Sequence, residues 1–164
     1  MKKIVSCFLA TIILFYMFIP QTTLAAEDEK QGWQDVFLTE GEFNDIVEIK
    51  GANERATGLI ATYSLGIKKS GSDLIIAGST DCFAGVVKCG FKELVIQRRA
   101  NSAQEWVDYV TYEDLYIENT TYVLSKSITV GTGYQYRVTA VHYAKKNIFI
   151  TQKVNNTSNT VVFA

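Results

Sequence analysis

Beyond residue 57, apolar and polar side chains alternate in short runs rich in aromatic and β-branched residues, with turn residues between them. Runs at 59–65, 73–80, 91–99, 105–110, 121–128, 134–143 and 158–163 predict seven strands. Leu74, Ile76 and Gly78 share one face of the second, and Leu94 and Ile96 share one face of the third with Val95 on the other. Lys69-Ser70-Gly71-Ser72 and Asn101-Ser102-Ala103 are turns, and Trp106 heads the fourth strand as a core or rim residue. Seven strands at this spacing, without a convincing helical period, predict an all-β antiparallel sandwich over 57–164.

The N-terminal residues follow a different pattern. Lys2 and Lys3 precede an apolar run at 4–19, Pro20 ends it, and Thr22-Thr23-Leu24-Ala25-Ala26 supplies small residues. This is the layout of a secretory signal peptide over 1–26, with cleavage at Ala25 or Ala26. The run is short for a bilayer-spanning helix, which needs about 20 apolar residues. The expected location is extracellular or cell-wall associated, with the membrane met only through the leader before cleavage.

Charge then divides the rest. Residues 27–54 hold nine acidic residues against Lys30 and Lys50, whereas 55–164 hold twelve basic and eight acidic residues. This marks 27–56 as an acidic arm on a more basic body. Trp33, Val36, Phe37, Leu38, Phe43, Ile46, Val47 and Ile49 are too many apolar residues for a solvated tail, so part of 33–50 should dock as short helix or strand. The near-neutral total argues against nucleic acid as a partner.

The chemistry on offer is sparse. Removing the leader takes Cys7 and leaves Cys82 and Cys89, which in an exported chain read as a disulfide worth about 2.5 kcal/mol on loop entropy. Two thiols and one histidine make no metal or cofactor site, and no nucleophile elbow or phosphate loop is present. Lys69-Ser70-Gly71 lacks the Ser-x-x-Lys element that would make it part of a serine enzyme. His142, the only histidine, falls on the same side of its strand as Tyr136 and Val138 and reads as a hydrogen-bonded core residue.

Gly131-Thr132-Gly133-Tyr134-Gln135-Tyr136-Arg137-Val138-Thr139-Ala140-Val141, with Tyr122, Leu124 and Ile128 before it, resembles the E–F corner and F strand of a fibronectin type III domain over 122–143. The resemblance implies that Tyr134 is the corner tyrosine, its hydroxyl bonding back to main chain. It also implies that Tyr136, Val138 and Ala140 enter the core while Gln135, Arg137 and Thr139 face out. With the strands at 91–99 and 134–143 adjacent, as C and F are in that family, Arg98, Arg99, Arg137, Lys145 and Lys146 would cluster. A second resemblance rests on Arg55-Ala56, a Ser-Gly turn and the Tyr-Arg-Val-x-Ala-x-His-Tyr-x-Lys-Lys element at 136–146. In these the chain is similar to an uncharacterised family of small exported proteins of Gram-positive bacteria, which carries no activity to transfer.

Two surfaces are candidate binding sites. Residues 108–118 carry Tyr109, Tyr112 and Tyr116 among four carboxylates, a composition suited to stacking on sugar rings and accepting hydroxyl protons. Its plainer reading is an edge connection whose acids keep it soluble. Arg98, Arg99 and Arg137 could hold an anionic wall polymer through salt-sensitive contacts. The expectation is a non-enzymatic binding module whose ligand is a wall polymer, a glycan or a protein. The alternatives are a small carbohydrate-acting enzyme and a secreted structural or effector protein.

Overall fold

The computed structural model describes residues 32–51 and 58–164. The leader, its cleavage position and the Arg55-Ala56 pair lie outside them. Ten strands and one short helix form among the described residues: β1 (Gln34–Asp35), α1 (Glu40–Ile46), β2 (Glu48–Gly51), β3 (Ile60–Ser70), β4 (Asp73–Cys82), β5 (Lys88–Arg99), β6 (Val107–Ile117), β7 (Thr121–Thr129), β8 (Tyr134–Lys145), β9 (Thr151–Thr157) and β10 (Val161–Phe163). They build two antiparallel sheets, β1-β7-β4-β3-β2 and β10-β8-β5-β6, with β9 also on β8. Because β5 occupies the other side of β8, β9 and β10 follow one another along a single edge. The expected all-β sandwich is the fold.

Alternation explains the core. Along β8 the burial of Tyr136, Val138, Ala140, His142 and Ala144 alternates with partial exposure of Gln135, Arg137, Thr139 and Val141. Leu65, Ile67, Leu74, Ile76, Phe91, Leu94, Ile96, Leu124, Ile128 and Phe163 complete the layer between the sheets. Gly71, at φ +61, takes the left-handed conformation that a two-residue hairpin needs between Ser70 and Asp73. The anticipated last strand divides differently. Residues 151–157 form β9, which a run with Val154 as its one apolar residue conceals, and only Val161–Phe163 of the anticipated strand is extended.

Residues 32–51 of the acidic arm are built into the sandwich and run from one edge of the first sheet to the other. β1 pairs with β7, Ser125 Oγ donates to the Val36 carbonyl at 2.7 Å, and Lys126 pairs with Asp35. Thr39 then caps α1 in a reciprocal box with Glu42, whose carboxyl these hydrogen bonds hold below the usual range. The helix ends on buried Ile46, and β2 pairs with residues 62–65 of β3.

Each open side of the sandwich is spanned by one arm residue. On one side Trp33 stacks on Tyr112 of β6, with ring centroids 3.7 Å apart and planes 4° from parallel. Such a stack contributes about 0.5–1.5 kcal/mol beyond the area it buries. On the other side Lys50 Nζ donates to Asn156 Oδ1 of β9 at 3.0 Å. Beyond the end of β2, the Asn159 amide pairs with both backbone groups of Ile67 at 2.9 Å, which blunts the remaining edge of β3.

Candidate functional site

The tyrosine and carboxylate segment is not a connection: it is most of β6, an edge strand. Its three tyrosines do not share a surface. Tyr112 faces the inner layer beneath Trp33, and Tyr109 meets the edge of Tyr136 at 6.1 Å. Tyr116 pairs in register with Gly90, faces outward and leans on Tyr143 at 5.4 Å. A register shift against β5 between Ile96 and Gln97, with Asp114 at φ +57, breaks the simple alternation along the strand. Two of its carboxylates are also occupied. Asp114 pairs with Lys92, Asp108 accepts from Gln97 Nε2 at 2.7 Å, and Glu113 lies directly opposite Glu93. A single sugar-stacking platform therefore does not assemble.

The basic residues divide in the same way. β5 and β8 do pair, as strands C and F were expected to, but Arg98 and Arg99 are consecutive on β5 and point to opposite faces. The Arg98 guanidinium sits at the rim of the inner layer, 4.4 Å from the Tyr109 ring and 4.8 Å from that of Tyr134. Arg99 and Arg137 meet on the outer face instead. Their guanidinium carbons lie 4.3 and 4.4 Å from the half-buried Trp106 ring. Arg99 Nε donates to Gln135 at 2.9 Å and Arg137 Nε to Gln97 at 2.8 Å. Among the described residues no carboxylate comes within 4 Å of either guanidinium. Lys145 and Lys146 stand at the far end of β8, so the expected five-residue cluster separates into two ends and a half-buried inner rim.

The corner bond belongs to Tyr136, not Tyr134. Tyr136 Oη donates to the Gly131 carbonyl at 2.9 Å, spanning the β7–β8 turn, while Tyr134 opens the strand at the turn itself and lies under Arg98. Tyr136→Phe should cost about 1 kcal/mol in denaturant unfolding. Tyr134→Phe should cost less than half of that. Equal losses would deny the bond its role.

Cys82 and Cys89 are free thiols, so the expected disulfide is not formed. Cys89 faces inward from β5 and aims its thiol at the Thr80 carbonyl, 3.7 Å away. Cys82 ends β4, where burial and then the neighbouring Cys89 push its thiol up to about 12. At neutral pH it is protonated and a poor nucleophile.

His142 is completely buried, between Phe91 at 4.6 Å and Tyr63 at 5.0 Å. Its Nδ1 lies 2.8 Å from Thr80 Oγ1, which is also 3.0 Å from the Gly90 carbonyl. Thr80 has one hydroxyl proton. If it goes to the carbonyl, the imidazole donates from Nδ1 and keeps a bare Nε2, which has no partner here. Burial, followed by the Lys50 cation, lowers the ring to about 3. Among the described residues no three His, Cys, Asp or Glu side chains converge as metal ligands would.

One surface escaped the sequence reading. The β8–β9 loop exposes Ile148 and Phe149 at 77% and 87%, with Ile150, Val87 and Phe83 also exposed nearby. The available signal was three consecutive apolar residues in a loop, two positions after a lysine pair. No protein-family model, curated protein or solved structure matches the chain.

Proposed function

We propose that this chain is an exported, non-enzymatic binding module that holds an anionic envelope polymer on the face where Arg99 and Arg137 meet Trp106. The observation that carries the reading is the sharing of one indole by two guanidiniums, with no carboxylate at ion-pair distance among the described residues. Two like charges on one ring gain from an anion placed beside them, and the neighbouring Gln135 amide can orient its oxygens. The indole offers an aromatic surface on which a sugar ring can rest. Export rests on the leader pattern of residues 1–26, and the anionic polymers outside a Gram-positive cell are those of the wall.

Retention on isolated walls tests this. Wild-type protein should bind and be released by rising salt, because exposed charge contacts are screened over about 8 Å at physiological ionic strength. Arg99→Glu with Arg137→Glu should lower the bound fraction about tenfold, the equivalent of 1.4 kcal/mol. Arg98→Glu should not reproduce that loss with the same salt dependence, since Arg98 lies at the inner rim. Unchanged retention of the double variant would overturn the reading.

A further inference from the structure

We infer that the β8–β9 tip docks into the head-group region of an anionic lipid bilayer, at the end of the molecule opposite Trp106. Asn147 Oδ1 accepts from the backbone of both Phe149 and Ile150 at 2.9 Å, and Lys146 N donates to the Ile150 carbonyl at 2.9 Å. The loop is thus a closed turn that holds its two most exposed apolar side chains outward and cannot fold them onto the core. The β4–β5 connection lies beside it, through Val87 N to the Lys145 carbonyl at 2.8 Å. That connection adds Val87 and Phe83, exposed at 53% and 49%.

Charge chooses the partner. Lys145 and Lys146 precede the tip, and Lys88 pairs in register with Lys145. Among the described residues none of these three has a carboxylate within 4 Å. Apolar residues on a protruding turn behind a collar of lysines match a bilayer surface, where Ile and Phe enter the acyl boundary and ammonium groups meet anionic head groups. The sequence alone placed the membrane only with the leader; the tip supplies a contact from within the sandwich.

Full-length protein carrying Phe149→Trp, mixed with vesicles of phosphatidylcholine and 30 mol% phosphatidylglycerol, reads the contact at that position whatever the leader does. The added emission should shift to the blue and be quenched by brominated acyl chains, beyond any change in the native protein. In that background, Lys145→Glu with Lys146→Glu should weaken the quenching at least severalfold, as should neutral vesicles. Arg99→Glu with Arg137→Glu should leave it intact, which separates this inference from the polymer reading. An added tryptophan that vesicles neither shift nor quench would overturn the inference. So would a blue shift that grows with protein concentration without lipid, which would assign the tip to a second copy of the chain.

Discussion

Gly66→Ala should detach the arm and cost the fold roughly 3 kcal/mol or more, although the change adds a single methyl group. Gly66 lies on the outer face of β3, where the chain leaving α1 crosses it. A Cβ there would stand 1.9 Å from the Ile46 carbonyl oxygen and 2.9 Å from the Val47 Cα. Both obstacles are main chain, and neither can rotate aside. Residues 46 and 47 must lift, and β2, which begins at Glu48, is pulled from its pairing with β3. The expected pattern in amide exchange is loss of protection over 48–51 and at Ile46, with β5 and β8 still protected. Gly41→Ala is the control, since a Cβ there meets nothing within 4 Å and the residue lies inside α1. That change should leave stability unaltered or raise it by about 0.5–1 kcal/mol. Wild-type stability and arm protection in Gly66→Ala would refute the crossing.

The second large effect is acid sensitivity through His142. Unfolded, its imidazole titrates near 6.5, whereas burial lowers it to about 3 in the fold. Between those values the unfolded chain binds a proton that the native chain does not, so native stability falls as the pH falls through this window and is fully present above 6.5. At about 1.4 kcal/mol per pH unit, the loss approaches roughly 4 kcal/mol near pH 3. His142→Gln should start lower at pH 7, because Thr80 and the aromatic pair lose a fitted partner, yet decline less steeply below 6.5. Parallel stability curves for the two proteins would rule the mechanism out. As this is the sole histidine, its ring protons can be followed directly by NMR and should not titrate between pH 8 and 4.5.

What could be read from the sequence was what period-two alternation controls. The inward set of β8, the hairpin at Gly71 and the docking of the arm follow from side-chain order and turn chemistry, and the structure has them. β9 was hidden because its neighbours, not its composition, make it a strand. The tyrosine segment misled because one register shift against β5 and the left-handed Asp114 redistribute its faces, which no local pattern announces. The division of Arg98 from Arg99 was legible in principle, since adjacent residues of a strand diverge. The cysteine spacing suggested a ring, and the sheets do set Cys82 and Cys89 side by side, here as free thiols. Ile148 and Phe149 were visible as apolar residues; their exposure comes from the Asn147 turn, a tertiary fact.

The arm that spans both edges also dictates the order in which the molecule can be completed. Lys126 grips Asp35 across 91 positions of sequence. Residues 32–51 leave the ribosome before everything that receives them: β3 comes next, then Tyr112, then β7, and Asn156 last. Such distant pairing is slow to find and is entropically costly to close. A chain interrupted before β7 has no partner for β1, and one interrupted before Asn156 has no group on β9 for Lys50 to bond. One seam can therefore close once β7 is made, and the other only in a chain that has been made almost to its end.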